Sequence, residues 1–389
     1  MKKIALTITT LLFSVISFAQ DTYRSEMEKA TDSLAKKDYK SYLTHMQRSV
    51  ELQPDKISRP YYQYGLARAY AYNDDLPRAL ETLEALYNEG IEAPMIFLAV
   101  EDPAFKKFVK EPTFQKLQQK SKTHRITLSP MVGNIFLIEG AGCFLVASIG
   151  DDGILLVDTG YPQISSQILE ALKKQSGGKK IRRIINTHEH MDHVGGNALM
   201  RKDASVIAHV NVRSAITKPS EYFSDFSVSG MPENQWPDVV FKNEVSLYFN
   251  GEEVRVIGLP AHSEGDSIVY FTKSNVLHMG DNYFPETSKY LYPGKKIRAY
   301  FDVLDPFIKS LPGNVIVASG HDKPVPLSEF RAKYDKTFTL YKFVQDQLQQ
   351  GKNFEDSKAL SEEKGYPADW VEFYFKNLSN NQTEENKQQ

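Results

Sequence analysis

The stretch Thr187-His188-Glu189-His190-Met191-Asp192-His193 places three imidazoles and two carboxylates within six residues. It follows directly on a β-rich run at Ile181–Ile185. A protein core does not favour such a concentration, because buried polar side chains need partners and buried charges are costly without them. A divalent metal supplies such a partner. Imidazole and carboxylate ligands without a thiolate suit zinc, with iron, manganese and nickel as the alternatives.

The spacing inside this stretch predicts two metal positions. His188 and His190 are two residues apart in an extended loop, so both side chains can face one metal. Asp192 and His193 come one turn later and can face a second metal. The Val194–Asn197 segment that follows contains two glycines, which let the backbone approach closely before a helix starts.

Three further β-rich runs each end in a candidate ligand. The run that begins at Val256 leads to His262, the run at Asn275 leads to Asp281, and the run at Val315 leads to His321. Loops at the ends of strands are where a rigid scaffold commonly carries its chemistry. We therefore expect these three side chains to join the same metal centre.

These motifs, taken in order, resemble those of the metallo-β-lactamase superfamily. The run His-x-His-x-Asp-His is followed by a single His, by Gly-Asp and by Gly-His, and Val157-Asp158-Thr159-Gly160 matches the early strand–turn motif of that family. The resemblance covers about residues 126–325. It implies an α/β fold, the αββα sandwich of two β-sheets flanked by helices, with the metals at the sheet edge.

The resemblance also implies a ligand set for two zinc ions. The first zinc would be held by His188, His190 and His262, and the second by Asp192, His193 and His321. Asp281 matches the carboxylate that bridges the metals in glyoxalase-II-like and lactonase-like members, and β-lactamases of the family lack that bridge. The alternative for Asp281 is a hydrogen bond to a ligand rather than a bond to metal, and the same structural role is expected for Asp158.

Two departures from the family pattern stand out. The usual Gly-His-Thr-x-Gly-Ser segment reads Ala261-His262-Ser263-Glu264-Gly265-Asp266, so the loop around this ligand differs. No cysteine occupies a ligand position, which excludes the thiolate-ligated β-lactamase subclass. The other four histidines, His45, His124, His209 and His278, lie away from the motifs and are expected to be ordinary packing or surface residues.

The N-terminal region is predicted to differ from the rest of the chain. Residues 1–19 have the form of a signal peptide, because Lys2 and Lys3 precede an apolar run that ends in Ser17-Phe18-Ala19. This predicts a periplasmic or secreted protein with no membrane association after cleavage. Residues 20–122 are then expected to form a small all-α domain, 123–330 the catalytic domain, and 331–389 C-terminal helices with a polar tail.

The helical region resembles a short tetratricopeptide array. Lys37-Asp38-Tyr39 corresponds to Asp74-Asp75-Leu76, and 76 − 39 gives an offset of 37 residues, near the period of such helix pairs. Arrays of this kind present a groove, so a protein partner is one expectation. The alternative is that the few helices only pack on the catalytic domain.

The function expected from the sequence is that of an exported binuclear zinc hydrolase. A hydroxide bridging the metals would open a cyclic amide or ester of a small-molecule substrate, either β-lactam-like or lactone-like, and Asp192 would act catalytically by orienting this nucleophile. The formal net charge of −2 gives no case for nucleic acid as a partner. Two alternatives remain: an interaction protein with an accessory metal domain, and a phosphodiesterase of the same fold.

Overall fold

The computed structural model describes residues 23–52, 59–89, 99–121, 125–284 and 290–385. The predicted signal peptide lies outside these residues. The chain divides into two units, one of residues 1–123 with 221–228 and one of residues 124–220 with 229–389. No helix within the described ranges is long and apolar enough to cross a membrane.

The first unit is built mainly from helices, as the sequence predicts. Its helices are α1 (Tyr23–Ala35), α2 (Tyr39–Leu52), α3 (Arg59–Tyr72), α4 (Leu76–Glu89) and α5 (Pro112–Ser121). The turns of the first two hairpins repeat each other, since Lys37 and Asp74 both have positive φ and 74 − 37 again gives 37 residues. Asp38 and Asp75 each cap the helix that follows by accepting a hydrogen bond from a backbone N–H. The tetratricopeptide identity of this pair stays a prediction.

A β-hairpin from a distant part of the sequence completes the helical unit. Its strands are β7 (Ser220–Phe223) and β8 (Phe226–Val228). Phe223 stacks on Tyr61 with the ring centroids 5.2 Å apart. Asp225 accepts a hydrogen bond from the fully buried guanidinium of Arg68 at 2.6 Å. The helical unit therefore depends on a segment that follows it by about a hundred residues.

The second unit contains two large β-sheets. The seven-stranded sheet has the order β1-β2-β3-β4-β5-β6-β9, and the six-stranded sheet has the order β10-β11-β12-β13-β14-β15. The strands are β1 (Thr127–Val132), β2 (Ile135–Gly140), β3 (Cys143–Gly150), β4 (Gly153–Val157), β5 (Ile181–Asn186), β6 (Ser205–His209), β9 (Val239–Phe241), β10 (Glu244–Phe249), β11 (Glu252–Gly258), β12 (Ser267–Phe271), β13 (Val276–His278), β14 (Ile316–Ala318) and β15 (Val325–Pro326). Pairing is parallel between β4 and β5, between β5 and β6, and between β6 and β9 in the first sheet, and between β13 and β14 in the second.

The two sheets enclose a common apolar core. Val146, Val157 and Ile185 of the first sheet pack with Val256 and Val269 of the second. These runs are nearly continuous in β-branched residues, as is typical of strands buried on both faces. Helices cover the outer faces, so the predicted αββα sandwich is confirmed.

The flanking helices differ between the two sheets. Those of the second unit are α6 (Ser165–Ser176), α7 (Met191–Val194), α8 (Asn197–Met200), α9 (Val210–Ile216), α10 (Ile297–Ser310), α11 (Leu327–Gln349), α12 (Phe354–Glu363) and α13 (Ala368–Glu385). Ile168 and Leu172 of α6 pack on the outer face of the seven-stranded sheet. Helices α10, α11 and α13 share one apolar cluster with the outer face of the six-stranded sheet. The C-terminal helices thus belong to the sandwich.

Candidate metal centre

The predicted ligands converge into two overlapping groups. His188, His190, His262 and Asp281 form one group, and Asp192, His193, Asp281 and His321 form the other. Within each group, every residue offers one ligand atom, and these atoms lie within 4.8 Å of one another. Asp281 belongs to both groups. We call His188, His190 and His262 the three-histidine half, and Asp192, His193 and His321 the aspartate half.

Ring nitrogens face each other in the three-histidine half. His190 Nδ1 lies 3.0 Å from His188 Nε2 and 3.0 Å from His262 Nε2. Asp281 Oδ2 lies 3.5 Å from His188 Nε2 and 3.6 Å from His262 Nε2. A neutral imidazole carries a proton on only one nitrogen, so each ring can turn an unprotonated nitrogen towards this space, and a cation placed there could bind all three.

Carboxylates alternate with imidazoles in the aspartate half. Asp192 Oδ2 lies 3.2 Å from His193 Nε2 and 3.1 Å from His321 Nε2. On the other side, Asp281 Oδ1 lies 3.2 Å from His193 Nε2, and Asp281 Oδ2 lies 3.1 Å from His321 Nε2. Two buried carboxylates therefore face two imidazoles across a space that one cation could fill.

Two buried atoms show that the protein alone does not satisfy this cluster. His193 Nε2 and Asp281 Oδ1 are both shielded from solvent, and the 3.2 Å contact between them does not have hydrogen-bond geometry, so neither atom makes a hydrogen bond. Such orphaned groups cost free energy, and a metal ion removes the penalty by accepting their lone pairs. The donor set of five imidazoles and two carboxylates contains no sulfur, as zinc sites of the histidine and carboxylate type require. The residues thus fit divalent metals.

Hydrogen bonds behind the rings fix which nitrogen can bind metal. Asp158 Oδ2 accepts from His193 Nδ1 at 2.8 Å, which leaves Nε2 facing the centre. The same carboxylate accepts from the backbone N–H of Thr187 at 2.7 Å and from its hydroxyl at 2.8 Å. His321 Nδ1 donates to the carbonyl of Gly142 at 2.8 Å. Contacts of this kind orient ligands and tune their basicity. Asp158 lies behind the ligands, as expected from the sequence.

The two halves differ in electrostatics. Burial lowers the pKa of His188 well below its usual range, and the neighbouring His193 and His190 add to the effect. Burial, with the charge of His190, lowers the pKa of His262 to about 4. Burial also acts on His193 and His321, but the carboxylates of Asp192 and Asp281 outweigh it and raise the pKa of both imidazoles well above the usual range.

The loop after β11 departs from the family pattern, and a hydrogen-bonded chain now ties it to the first ligand loop. Ser263 Oγ lies 2.8 Å from Glu189 Oε2 and 3.0 Å from Asp266 Oδ1. The Ser263 hydroxyl is the hydrogen-bond donor placed between these two carboxyl groups, and burial raises the pKa of Asp266 well above its usual range. Glu189 lies between His188 and His190 in sequence, and Ser263 follows His262. These hydrogen bonds therefore link the loops that carry all three ligands of the three-histidine half.

One histidine outside the motifs lies beside the centre. His278 is fully buried, and its Nδ1 accepts a hydrogen bond from the backbone N–H of Gly280, next to Asp281. This contact was not predicted, because a histidine within a β-rich run is typical of an ordinary packing residue. Of the other three histidines, His45 pairs with Glu26, and His209 accepts from the backbone of Asn211. His124 lies outside the described residues.

Sequence comparisons relate part of the chain to known proteins. The family model described as Metallo-beta-lactamase superfamily matches residues 132–321. The 2,4-dinitroanisole O-demethylase subunit alpha of Nocardioides sp. (strain JS1661) is 30% identical over 41% of this chain and 47% of its own length. The hydroxyacylglutathione hydrolase of Pelagibacter ubique (strain HTCC1062) is 24% identical over 39% of this chain and 56% of its own. The chain thus spans about half the length of these two relatives.

Solved structures resemble the chain over a similar part. A metallo-beta-lactamase from Pontibacter korlensis has 15% sequence identity and a TM-score of 0.44, with 54% of this chain and 98% of that chain covered. The structure of the BLEG-1 B3 metallo-beta-lactamase has 21% identity and a TM-score of 0.41, with 53% of this chain and 95% of that chain covered.

Proposed function

Residues 132–321 form a metallo-beta-lactamase superfamily domain, and from this premise we propose that the chain is an exported binuclear zinc hydrolase that opens a cyclic ester or amide. Within that class, a lactone-like ester is the preferred substrate. The observation that carries the preference is the position of Asp281, which belongs to both groups of candidate ligands.

The two oxygens of Asp281 support a bridging role. Oδ1 lies 3.2 Å from His193 Nε2 in the aspartate half, and Oδ2 lies between the halves, 3.1 Å from His321 Nε2 and 3.5 Å from His188 Nε2. A carboxylate so placed can bind one metal through each oxygen. The family resemblance associates this carboxylate with lactonase-like and glyoxalase-II-like members and not with β-lactamases. Ester cleavage is therefore favoured over opening of a β-lactam.

The chain's own residues supply orientation and charge. When bound, zinc would supply Lewis acidity and activate water at neutral pH. Burial opposes ionisation of Asp192, but the charge of His193 and the hydrogen bond from His321 hold its pKa well below the usual range. Asp192 therefore stays a carboxylate that accepts a hydrogen bond from the attacking water and fixes its direction. No serine or cysteine nucleophile is needed.

The surroundings of His262 offer little support for a phosphodiester substrate. Lys296 forms an ion pair with Glu264, so its charge is already matched.

Export rests on the signal-like residues 1–19, and the helical unit remains a candidate surface for a protein partner. The same export argues against glutathione thioesters, even though relatives such as that of Pelagibacter ubique carry the name hydroxyacylglutathione hydrolase.

A substrate panel on the zinc-loaded protein tests the proposal. We would compare hydrolysis of a simple lactone, an acyl thioester, nitrocefin and bis(p-nitrophenyl) phosphate by the wild type and by Asp281→Asn. The matched control is Asp203→Asn, which removes a carboxylate that is exposed and paired only with Lys180. We expect the lactone to be the best substrate, with about a hundredfold loss in Asp281→Asn and none in the control.

Three other results of the substrate panel would change the proposal. Faster turnover of nitrocefin than of the lactone would overturn the ester preference, and preference for the phosphodiester would establish the alternative chemistry. Absence of turnover on all four substrates, with zinc bound, would contradict the hydrolase proposal and favour the interaction protein.

A further inference from the structure

His278 has both ring nitrogens engaged although it is not among the ligands. Its Nδ1 accepts a hydrogen bond from Gly280 N–H at 3.1 Å, so the ring proton must be on Nε2. Nε2 lies 3.3 Å from the carbonyl oxygen of Phe144 and therefore donates to it. The side chain is fully buried in strand β13. Its tautomer is thus fixed by a donor on one side and an acceptor on the other.

These two bonds close a ring of hydrogen bonds. Phe144 N–H donates to Gly320 O at 2.8 Å, and Gly320 N–H donates to Gly280 O at 2.9 Å. Gly280 N–H then donates to His278, which donates back to Phe144. The ring connects the start of β3 with the turn after β13 and the turn after β14. His278 supplies its only side chain.

The turns joined by the ring carry Asp281 and His321. Gly280 has φ +54°, and a Cβ there would lie 3.0 Å from the Thr187 side chain. A Cβ at Gly320 would lie 2.3 Å from Asp281 Oδ1, so this backbone packs directly against the shared carboxylate. A shift of either turn therefore moves Asp281 or His321 relative to the other ligands.

We propose that His278 is a positioning residue that holds Asp281 and His321 in register through this hydrogen-bond ring, and that the aspartate half depends on it for metal affinity. The inference rests on the metal centre of the proposed function and is independent of the substrate. The simpler alternative is a buried histidine that only stabilises the fold. The two differ in one respect: a purely structural role changes unfolding but leaves metal binding by the folded protein unchanged.

Cobalt binding to the full chain separates the two roles. His278→Phe keeps a planar side chain but removes both hydrogen bonds, whereas His278→Asn can retain the acceptor for Gly280 N–H. Val276→Ala is the control, because Val276 is buried on the same face of the same strand and is not part of the ring. Each variant would be titrated with Co²⁺ and followed by its visible absorption, and the metal-free proteins would be unfolded in urea.

The proposal predicts a selective loss. His278→Phe should bind the second cobalt about 10–100-fold more weakly, with a changed spectrum, while the first cobalt binds within about threefold of wild type. His278→Asn should recover most of this affinity. Val276→Ala should have a lower urea midpoint but bind two cobalt ions normally.

The opposite results would overturn the proposal. Normal binding of both cobalt ions by His278→Phe, or equal losses in His278→Phe and Val276→Ala, would leave His278 with a structural role only. If His278→Phe does not fold, His278→Ala, which also removes both hydrogen bonds, takes its place and is compared with Val276→Ala by the same criteria. A wild type that binds no cobalt would instead contradict the metal centre, and the proposed function with it.

Discussion

The three-histidine half and the aspartate half of the metal centre differ in what lies behind their imidazole rings. In the aspartate half, the ring nitrogens that face away from the centre are hydrogen-bonded: His193 Nδ1 to Asp158 and His321 Nδ1 to the Gly142 carbonyl. In the three-histidine half, only His188 has such a contact among the described residues, at 3.1 Å from the Thr187 hydroxyl. His190 is exposed, and His262 is a quarter exposed. One half is therefore prearranged by the protein, and the other depends more on its metal.

The same contrast appears in charge. Burial leaves His188 and His262 neutral in the metal-free protein because it lowers the pKa of both. The aspartate half has its own buried carboxylate, Asp192, and hence imidazoles with raised pKa values. Protons therefore compete with metal mainly in the aspartate half. This difference predicts that the two halves respond unequally to substitution and to pH.

The largest effect is expected from the residue that supports one half alone. Asp158→Asn removes the charge behind His193, and asparagine tolerates the left-handed backbone at this position, where φ is +61°. We expect the affinity for the second metal to fall about 10–100-fold and that for the first to change by less than about threefold. Isothermal titration with zinc measures both. Equal losses in the two affinities would remove the distinction between the halves.

Acidification should separate the halves without any substitution. Metal binding needs unprotonated ligand nitrogens. The pKa values of His193 and His321 lie above the ordinary value of 6.5. The pKa of His262 is lowered to about 4, mainly by burial and further by the charge of His190. As the pH falls from about 8 to about 5.5, the second metal should dissociate while the first remains bound. Zinc content after gel filtration at each pH measures this, and simultaneous loss of both metals would contradict it.

The stability of the metal-free protein should fall as the pH rises, whereas metal binding should strengthen. Because folding raises the pKa of His193 and His321, their contribution to stability is fully present below pH 6.5 and is lost as the pH rises through the folded values. Urea midpoints measured in a chelator should therefore fall between about pH 6 and pH 8. Excess zinc should reverse the trend, since it binds only the folded state.

The smallest effect is expected from removing the hydrogen bonds of Ser263, which link the loops of the three-histidine half. Ser263→Ala removes the hydroxyl between Glu189 and Asp266 and should lower the free energy of unfolding by about 1 kcal/mol. The affinity for the first metal should fall by about threefold, and that for the second should not change. Ser246→Ala is the matched control, because Ser246 is exposed and its hydroxyl donates to Glu253 at 2.7 Å, away from the metal centre. Identical effects in the two variants would show that these hydrogen bonds do not support the ligands.

Much of the centre was predictable because each ligand follows a β-rich run. Strand ends from both sheets meet at one edge, so His188, Asp281 and His321 come together once the sandwich forms. Strand β10, in contrast, was not predicted, although Val245, Leu247 and Phe249 alternate with polar residues in the period typical of a half-buried strand. The exposed aromatic side chain of Tyr248, between Leu247 and Phe249, weakens that alternation.

Other features depend on contacts that local sequence does not encode. His278 and its partner Phe144 are 134 residues apart, and Arg68 and Asp225 are 157 residues apart. A histidine in a β-rich run is typical of packing, and Ser220–Val228 has the composition of an ordinary surface turn. Only the fold brings the first to the metal centre and the second into the helical unit. Whether Asp281 binds metal or only hydrogen-bonds to a ligand stays a prediction.

Zinc content measures whether two metals bind in two distinguishable halves. We would load wild type, His262→Ala and His321→Ala with zinc, remove weakly bound metal by gel filtration and measure zinc per chain by mass spectrometry. We expect close to two zinc ions in the wild type and close to one in each variant. A wild type that retains no zinc, or variants that both retain two, would contradict it.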